Sequence, residues 1–281
     1  MIVFAPAKIN LALHVTGQRA DGYHLLESLV VFAKVGDWLT IEPAPEDGLT
    51  FSGPFGGSLR ADLNTNLVLR ARDAMRIHAS HAPCPPVHIH LEKNLPLSSG
   101  IGGGSADAAA TMKALNDLWA LGLSEAELMA LGLPLGADVP MCILGKPLIA
   151  SGIGDVITPI SHMPELSLVL VNPSVGVSTP QIFRALSSKA NGPLPELTPS
   201  ADWDVSDVIA YLSSTRNDLE LPASLICPAI SDVLNSLMQS GALLARMSGS
   251  GATCFGIYDN DSAAQAAAAA IAKARLDWWV A

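Results

Sequence analysis

The chain is 281 residues long, 49% hydrophobic, 15% charged and 5% aromatic. At roughly 150 residues per domain that suggests two domains or one large one, able to bury a core without disulfides or metal, and it excludes intrinsic disorder, collagen and coiled coils. Sixteen Lys and Arg against 26 Asp and Glu leave a formal charge of −10 with no basic cluster, so nucleic acid is not an expected partner and any phosphate must be held by backbone N–H groups and a few placed cations.

Mean hydropathy is +0.36, yet the longest apolar stretches, Leu166–Val171 and Ala266–Ala272, fall far short of the ~20 residues of a membrane span. Met1–His14 has no basic start and no cleavage site, so it does not read as a signal peptide. Cys84, Cys142, Cys227 and Cys254 are far apart and form no CxxC, as expected of free thiols in a reducing compartment. A cytoplasmic protein with no membrane association is the expectation.

In chain order, Ile2–Val15, Ser28–Ala33, Asp37–Glu42 and Leu49–Ser52 read as strands. Turn signals separate them at Asp21-Gly22, Gly36-Asp37 and Glu46-Asp47-Gly48. Leu67–Ile77 has helical spacing, and Val87–Leu91 alternates Val87 and Ile89 with His88 and His90. A Gly-rich stretch then enters a helix over Ala106–Ala120. Pro159, Ser161 and Pro164 mark a boundary, giving expected domains 1–160 and 161–281. Beyond it come a strand, Ser167–Asn172, and helical patterns over Pro180–Ser188, Trp203–Ser213 and Ala229–Ser240. Strands Leu243–Met247 and Ala252–Tyr258 flank a second Gly-rich turn, Ser248–Gly251. The Ala-rich run Ser262–Arg275 reads as a packed helix, because Ala is the best helix former. The fold class is α+β.

The strongest chemical signal is the run from Leu95 to Ala110, with glycines at 100, 102, 103 and 104 leading into a helix. Glycine lets a ligand approach the main chain, and a helix start offers unpaired N–H groups and a positive dipole end. Ser105 would cap that helix or reach a metal ion on the phosphates. No Gly-Lys-Ser or Gly-Lys-Thr occurs, Gly100-x-Gly102 is not completed as G-x-G-x-x-G, and protein-kinase motifs are missing. The phosphate loop is of another kind. Asp107 reads as a first-turn acid favoured by the helix dipole. His78, His81, His88, His90 and His162 show no metal-ligand spacing and read as surface or core residues.

Two further segments narrow the choice: Ala5-Pro-Ala-Lys8-Ile-Asn10-Leu and Met247-Ser-Gly-Ser-Gly-Ala-Thr-Cys-Phe255. With the central loop they resemble the three motifs of the GHMP kinase superfamily, which includes galactokinase, homoserine kinase and mevalonate kinase. Asp21-Gly-Tyr-His24, Lys93-Asn-Leu-Pro96, Leu135-Gly-Ala-Asp-Val-Pro140, Ser178-Thr-Pro180 and Asn217-Asp-Leu-Glu220 are similar to the branch whose acceptor is a diphosphocytidyl-methylerythritol. The resemblance implies a two-domain GHMP kinase fold, with an N-terminal domain like domain 2 of ribosomal protein S5 and a ferredoxin-like α+β C-terminal domain. It also implies transfer of the γ-phosphate of ATP, with Mg²⁺, to the acceptor's 2-hydroxyl in isoprenoid precursor synthesis by the non-mevalonate route. The small-molecule substrate carries a cytidine diphosphate group, and the protein would be a monomer or homodimer.

Carried onto this chain, the resemblance makes Lys8 and Asp138 catalytic, Asp138 accepting or orienting the hydroxyl proton and Lys8 neutralising nearby charge. Taken alone, they could equally be a surface Lys and a helix-capping Asp. Asn10, Tyr23, His24, Thr179 and Phe183 become the acceptor site: Tyr23 and His24 stack on the cytosine and bond its edge, and Phe183 covers the other face. Phe183 alone would read as core. ATP falls to Asn66, Lys93, Pro96, Leu97, Ser98, Ser99, Gly100, Ile101, Gly102, Gly103, Gly104, Ser105 and Ala106, with Asn66 and Lys93 at the adenine. Ser248, Gly249, Ser250 and Gly251 form a supporting loop. No protein cage for a metal is visible, only Ser105 within reach of Mg²⁺. Ser98-Ser99, Ile101, Pro147-Leu148 and Asp155 depart from the family pattern; only the first pair bears on phosphate affinity. Other readings are a homoserine or mevalonate type of kinase, for which a cytosine platform has no use, and a non-catalytic nucleotide-binding module, against which the presence of both Lys8 and Asp138 argues.

Overall fold

Strand β1 (Ile2–Gln18) turns at Asp21-Gly22 into β2 (His24–Pro43) in a computed structural model that describes residues 1–61, 65–79 and 82–281. His81 lies outside the described residues. The two strands expected over Ser28–Glu42 are one, and the Gly36-Asp37 turn between them does not form. Gly36 sits mid-strand with the Ala5 carbonyl directly where a side chain would stand, so this glycine serves close backbone approach rather than a reversal.

The chain forms two compact units from interleaved segments: Met1–Lys8, Phe32–Leu97 and Gly102–Gly145 in the first, Ile9–Val31, Ser98–Ile101 and Lys146–Ala281 in the second. β1 and β2 contribute to both.

In the first unit β4 (Val87–Glu92) runs antiparallel to the second half of β2, from Trp38↔Glu92 to Pro43↔Val87, and parallel to β3 (Gly48–Ser52). The alternation of β4 is as expected. Val87, Ile89 and Leu91 are buried, while His88 and His90 bond Thr50 and Ser52 across the strands. Packed on the buried face are α1 (Leu67–His78), α2 (Gly103–Leu118), α3 (Glu125–Gly132) and α4 (Val139–Leu144). Val68, Ala71 and Met75 of α1 meet the alanines and Met112 of α2 in one core, where each large side chain contributes about 1.5–3 kcal/mol by burial.

α2 starts three residues before the expected Ala106. Its N-cap is Gly102 in the left-handed region, φ +64°, so Ser105 is a first-turn residue and not the cap. α3 was not expected, although its capping box is written in the sequence: Ser124 Oγ accepts from the Glu127 N–H, and Glu127 accepts from the Ser124 N–H. All six residues of α4 are buried, so it has no polar face to give a period.

The second unit has two sheet segments. β5 (Leu148–Ser151) pairs with the first half of β2, Ser28↔Ala150, and with β6 (Val156–Pro159). A four-stranded antiparallel sheet has the order β10-β7-β9-β8, from β7 (Ser167–Asn172), β8 (Leu244–Met247), β9 (Cys254–Tyr258) and β10 (Trp279–Val280). Its helices are α5 (Thr179–Arg184), α6 (Val205–Ser213), α7 (Glu220–Ile226), α8 (Ala229–Gln239) and α9 (Asp261–Ala274). The Ala-rich run is indeed a packed helix, capped by Asn260 and burying Ala264, Ala267 and Ile271. Among the described residues no single helix is long and apolar enough to cross a membrane; α7 and α8 reach that length only together and are bent by 118°. The four cysteines are free.

Candidate active site

In the first unit, β1 places Lys8 4% exposed beside the start of α2. Its Nζ donates to Asp138 Oδ2 at 2.8 Å, and the Asp138 side chain is 37% exposed. Asp138 precedes α4, but its side chain makes no capping hydrogen bond. The capping alternative is therefore set aside: the carboxylate belongs to Lys8. A Cβ on Gly102 would stand 3.1 Å from Lys8 Cβ and 3.2 Å from Cε, so the lysine stem lies flat against the helix cap. With glycine as the cap, no side chain fills the amides of Gly103, Gly104 and Ser105, a site suited to phosphate oxygens. Ser105 Oγ is 3.8 Å from the position a Cβ on Gly136 would take.

Beneath this helix start lies a buried charge triad that was not foreseen. Lys93 Nζ donates to Asp37 Oδ2 at 2.5 Å and to Asp107 Oδ2 at 2.6 Å. The three residues are 2%, 0% and 3% exposed. Asp37 Oδ1 also accepts the N–H groups of Asn94 and Leu95, at 2.6 and 2.9 Å, where the chain enters the phosphate loop. Burial works against the Lys93 charge, but the two carboxylates override it and raise its pKa. Burial pushes the Asp107 carboxyl up to about 7, with Asp37 adding and Lys93 opposing. Asp107 is thus not a dipole partner in the first turn but a core acid. The Lys93 ammonium, expected at the adenine, is committed to the triad, and Asn66, expected there too, caps α1 by accepting from the Val68 N–H at 2.9 Å. Pro96 is buried and Leu97 half-buried.

In the second unit, Asn10 N–H donates to Ser248 Oγ at 3.0 Å, and Ser248 donates to the Gly100 carbonyl at 3.1 Å. Asn10 Nδ2 donates to Ser28 Oγ at 2.7 Å, which leaves Asn10 Oδ1 buried without a partner. A Cβ on Gly100 would lie 2.5 Å from the Ser248 carbonyl oxygen, and one on Gly249 2.7 Å from the Gly100 carbonyl oxygen. Both have positive φ, +77° and +55°, so only glycine fits either side of this contact. Ser99 accepts from the Thr253 N–H at 3.1 Å; Ser98 is exposed and Ile101 buried. Thr179 Oγ1 and Ser250 Oγ are 2.7 Å apart.

The His24 and Phe183 rings stack on each other, centroids 4.6 Å apart and 26° between planes. Two stacking contacts of ordinary thickness do not fit in that gap, so a base cannot lie between these two rings as they stand. Tyr23, 62% exposed, is the open aromatic face. Burial, with Lys189 adding, lowers the His24 pKa and so favours the neutral imidazole, and Nε2 is buried without a partner. Among the described residues no group of three or more His, Cys, Asp or Glu could hold a metal ion.

Comparison with known proteins accords with this chemistry. Residues 66–146 match the GHMP kinases N terminal domain and residues 204–276 the GHMP kinases C terminal domain. The 4-diphosphocytidyl-2-C-methyl-D-erythritol kinase of Rhizobium johnstonii is 55% identical over 98% of this chain and 90% of its own; that of Agrobacterium fabrum is 53% identical over 98% and 93%. A crystal structure of 4-(cytidine 5'-diphospho)-2C-methyl-D-erythritol kinase superposes with a TM-score of 0.80 at 33% identity, covering 100% of this chain and 98% of the other. Homoserine kinase from Cytophaga hutchinsonii shares the fold, with a TM-score of 0.68, 20% identity and coverage of 100% and 94%. The chain belongs to the GHMP kinases and, within them, to the 4-diphosphocytidyl-2-C-methyl-D-erythritol kinase family. Its fold is the two-domain α+β fold of these kinases.

Proposed function

We propose that the chain transfers the γ-phosphoryl group of ATP to the 2-hydroxyl of 4-diphosphocytidyl-2-C-methyl-D-erythritol, giving the 2-phosphate and ADP in isoprenoid precursor synthesis. The observation that carries the chemical step is the Lys8–Asp138 pair beside the open amides of Gly103, Gly104 and Ser105. Phosphoryl transfer asks for positioning and charge stabilisation rather than for a covalent intermediate. As the acceptor oxygen bonds to Pγ and the bridging oxygen departs with ADP, the hydroxyl proton passes to Asp138. Lys8 supplies positive charge next to the carboxylate and the transferring group. The α2 amides grip the phosphates through backbone N–H groups.

The acceptor's base falls to the second unit in this reading. Tyr23 offers the stacking face, Phe183 lies on the His24 ring, and the unpartnered His24 Nε2 suits the hydrogen-bonding edge of a cytosine. Asn10 Oδ1, likewise unpartnered, accepts from a hydroxyl donor, and Thr179 adds a hydroxyl. When bound, Mg²⁺ would offset phosphate charge. Ser105, in the first turn of α2, would hold it through its hydroxyl, and one or two protein ligands with phosphate oxygens suffice for this ion. An aqueous small-molecule enzyme of the cytoplasm, monomeric or homodimeric, is the setting proposed.

The test is ADP release with Mg²⁺ and a panel of acceptors: the diphosphocytidyl-methylerythritol, homoserine, mevalonate and galactose. Turnover with the first alone is expected. Turnover with another acceptor would leave the phosphate loop and reject the base site.

A further inference from the structure

One sequence motif, Asn217-Asp-Leu-Glu220, has no part in the chemistry so far, yet it grips the Ser248–Gly251 loop from behind. Asn217, 7% exposed, donates from Nδ2 to the carbonyls of Met247 and Gly249, both at 2.8 Å. Its Oδ1 accepts the Leu219 N–H at 2.9 Å, which fixes the amide's orientation. Glu220 accepts the Met247 N–H at 2.7 Å. Asp218 holds β1, accepting the Val15 N–H at 2.7 Å. One amide group therefore secures the two carbonyls that flank Ser248.

From those carbonyls a short series of contacts reaches the acceptor residues. Ser248 Oγ accepts from Asn10 and donates to the Gly100 carbonyl. The Cβ position of Gly249 is 3.3 Å from Asn10 Oδ1. Ser250 bonds Thr179, the first residue of α5, and α5 carries Phe183 onto His24. We infer that Asn217 is a positioning residue for acceptor recognition, setting Asn10 and, through Ser250 and Thr179, the Phe183–His24 pair. The inference rests on the reading of the second unit as a cytidine diphosphate site. A role in stability alone would cost folding and leave ligand discrimination unchanged, because the hydrogen bonds of the Asn217 side chain go to Met247, Gly249 and Leu219 and to no acceptor residue.

The experiment compares CDP binding by calorimetry, with KM for ATP and for the acceptor, in the full chain and in Asn217→Asp, which keeps the Leu219 bond but sets a carboxylate oxygen against the two carbonyls. Loss of two hydrogen bonds should raise the CDP Kd and the acceptor KM about tenfold, with the ATP KM within about twofold. Ser250→Ala, at a partly exposed position, breaks the path further along and should weaken CDP about threefold. It decides the matter if Asn217→Asp does not fold. Equal weakening of CDP and ATP, or CDP affinity unchanged in a folded variant, overturns the inference. Absence of CDP binding by the unaltered chain overturns the cytidine reading itself and the inference with it.

Discussion

Replacing Lys93 by Met removes the ammonium at 2.5 and 2.6 Å from the Asp37 and Asp107 carboxylates while preserving most of the side-chain volume. Both carboxylates are then left in a site at most 3% exposed. Removing one partner of a buried ion pair costs about 3–5 kcal/mol, and that range is the expected loss in urea unfolding at pH 8. Asp37 retains two backbone donors, from Asn94 and Leu95, but Asp107 retains none of comparable strength. Adding Asp107→Asn should therefore restore roughly half of the loss. The pH dependence has a definite sign. Burial holds the Asp107 carboxyl up at about 7 in the folded chain, above the ordinary carboxylate value of 3.8, so its stabilising contribution is full below 3.8 and is lost as pH rises through 7. Without the lysine that folded value climbs further, and the Lys93→Met penalty should be smaller at pH 5.5 than at pH 8. A penalty under about 1 kcal/mol, or one independent of pH, would refute the assignment of the triad as a buried charge network.

The remaining predictions concern the reaction. Asp138→Asn should lower kcat by about 10²–10⁴-fold while nucleotide binding, followed by fluorescence titration, is largely kept; near-normal turnover would remove Asp138 from the proton step. Tyr23→Ala, at an exposed ring, should leave the melting temperature unchanged and weaken acceptor binding by about 1–3 kcal/mol with little change in ATP affinity, and equal losses on both ligands would end its stacking role. Gly100→Ala puts a methyl group 2.5 Å from the Ser248 carbonyl oxygen at a φ of +77°. Left-handed strain alone costs about 1–2 kcal/mol, so a folded variant should show a displaced Ser248–Gly251 loop and reduced kcat/KM; wild-type kinetics would show that the two loops need not touch.

Much of the site was legible because its parts are local. The run from Gly100 to Ser105, Lys8 with Asn10, and Ser248–Gly251 each have a backbone or charge chemistry visible within a few residues. Gly36-Asp37 reads as a turn because glycine followed by Asp carries the same signal whether the chain turns or, as here, another strand passes close by. Of the two roles open to Ser105, cap or metal contact, the first rests on Ser being a strong N-cap residue, yet glycine at 102 caps the helix and leaves its amides open. The triad was not legible. Asp37, Lys93 and Asp107 come from β2, the segment after β4 and α2, and nothing in the sequence marks them as neighbours. The family resemblance singles out Tyr23, His24 and Phe183, but which ring lies on which depends on packing that spacing does not encode.

The contact between Gly100 and Gly249 has a consequence for how this protein can vary. A Cβ on Gly249 would meet the Gly100 carbonyl oxygen, and one on Gly100 would meet the Ser248 carbonyl oxygen and the Gly251 backbone, so the constraint is main-chain volume and not a preference for any chemical group. A library of random substitutions should tolerate neither position, and no second-site change at one can rescue the other. By contrast, exposed Ser98, at a φ of +49°, should accept Gly, Asn or Asp, which suit a left-handed backbone. Tolerance mapped along the chain should thus dip at Gly100 and again at Gly249, far apart in sequence, where one loop rests on the other.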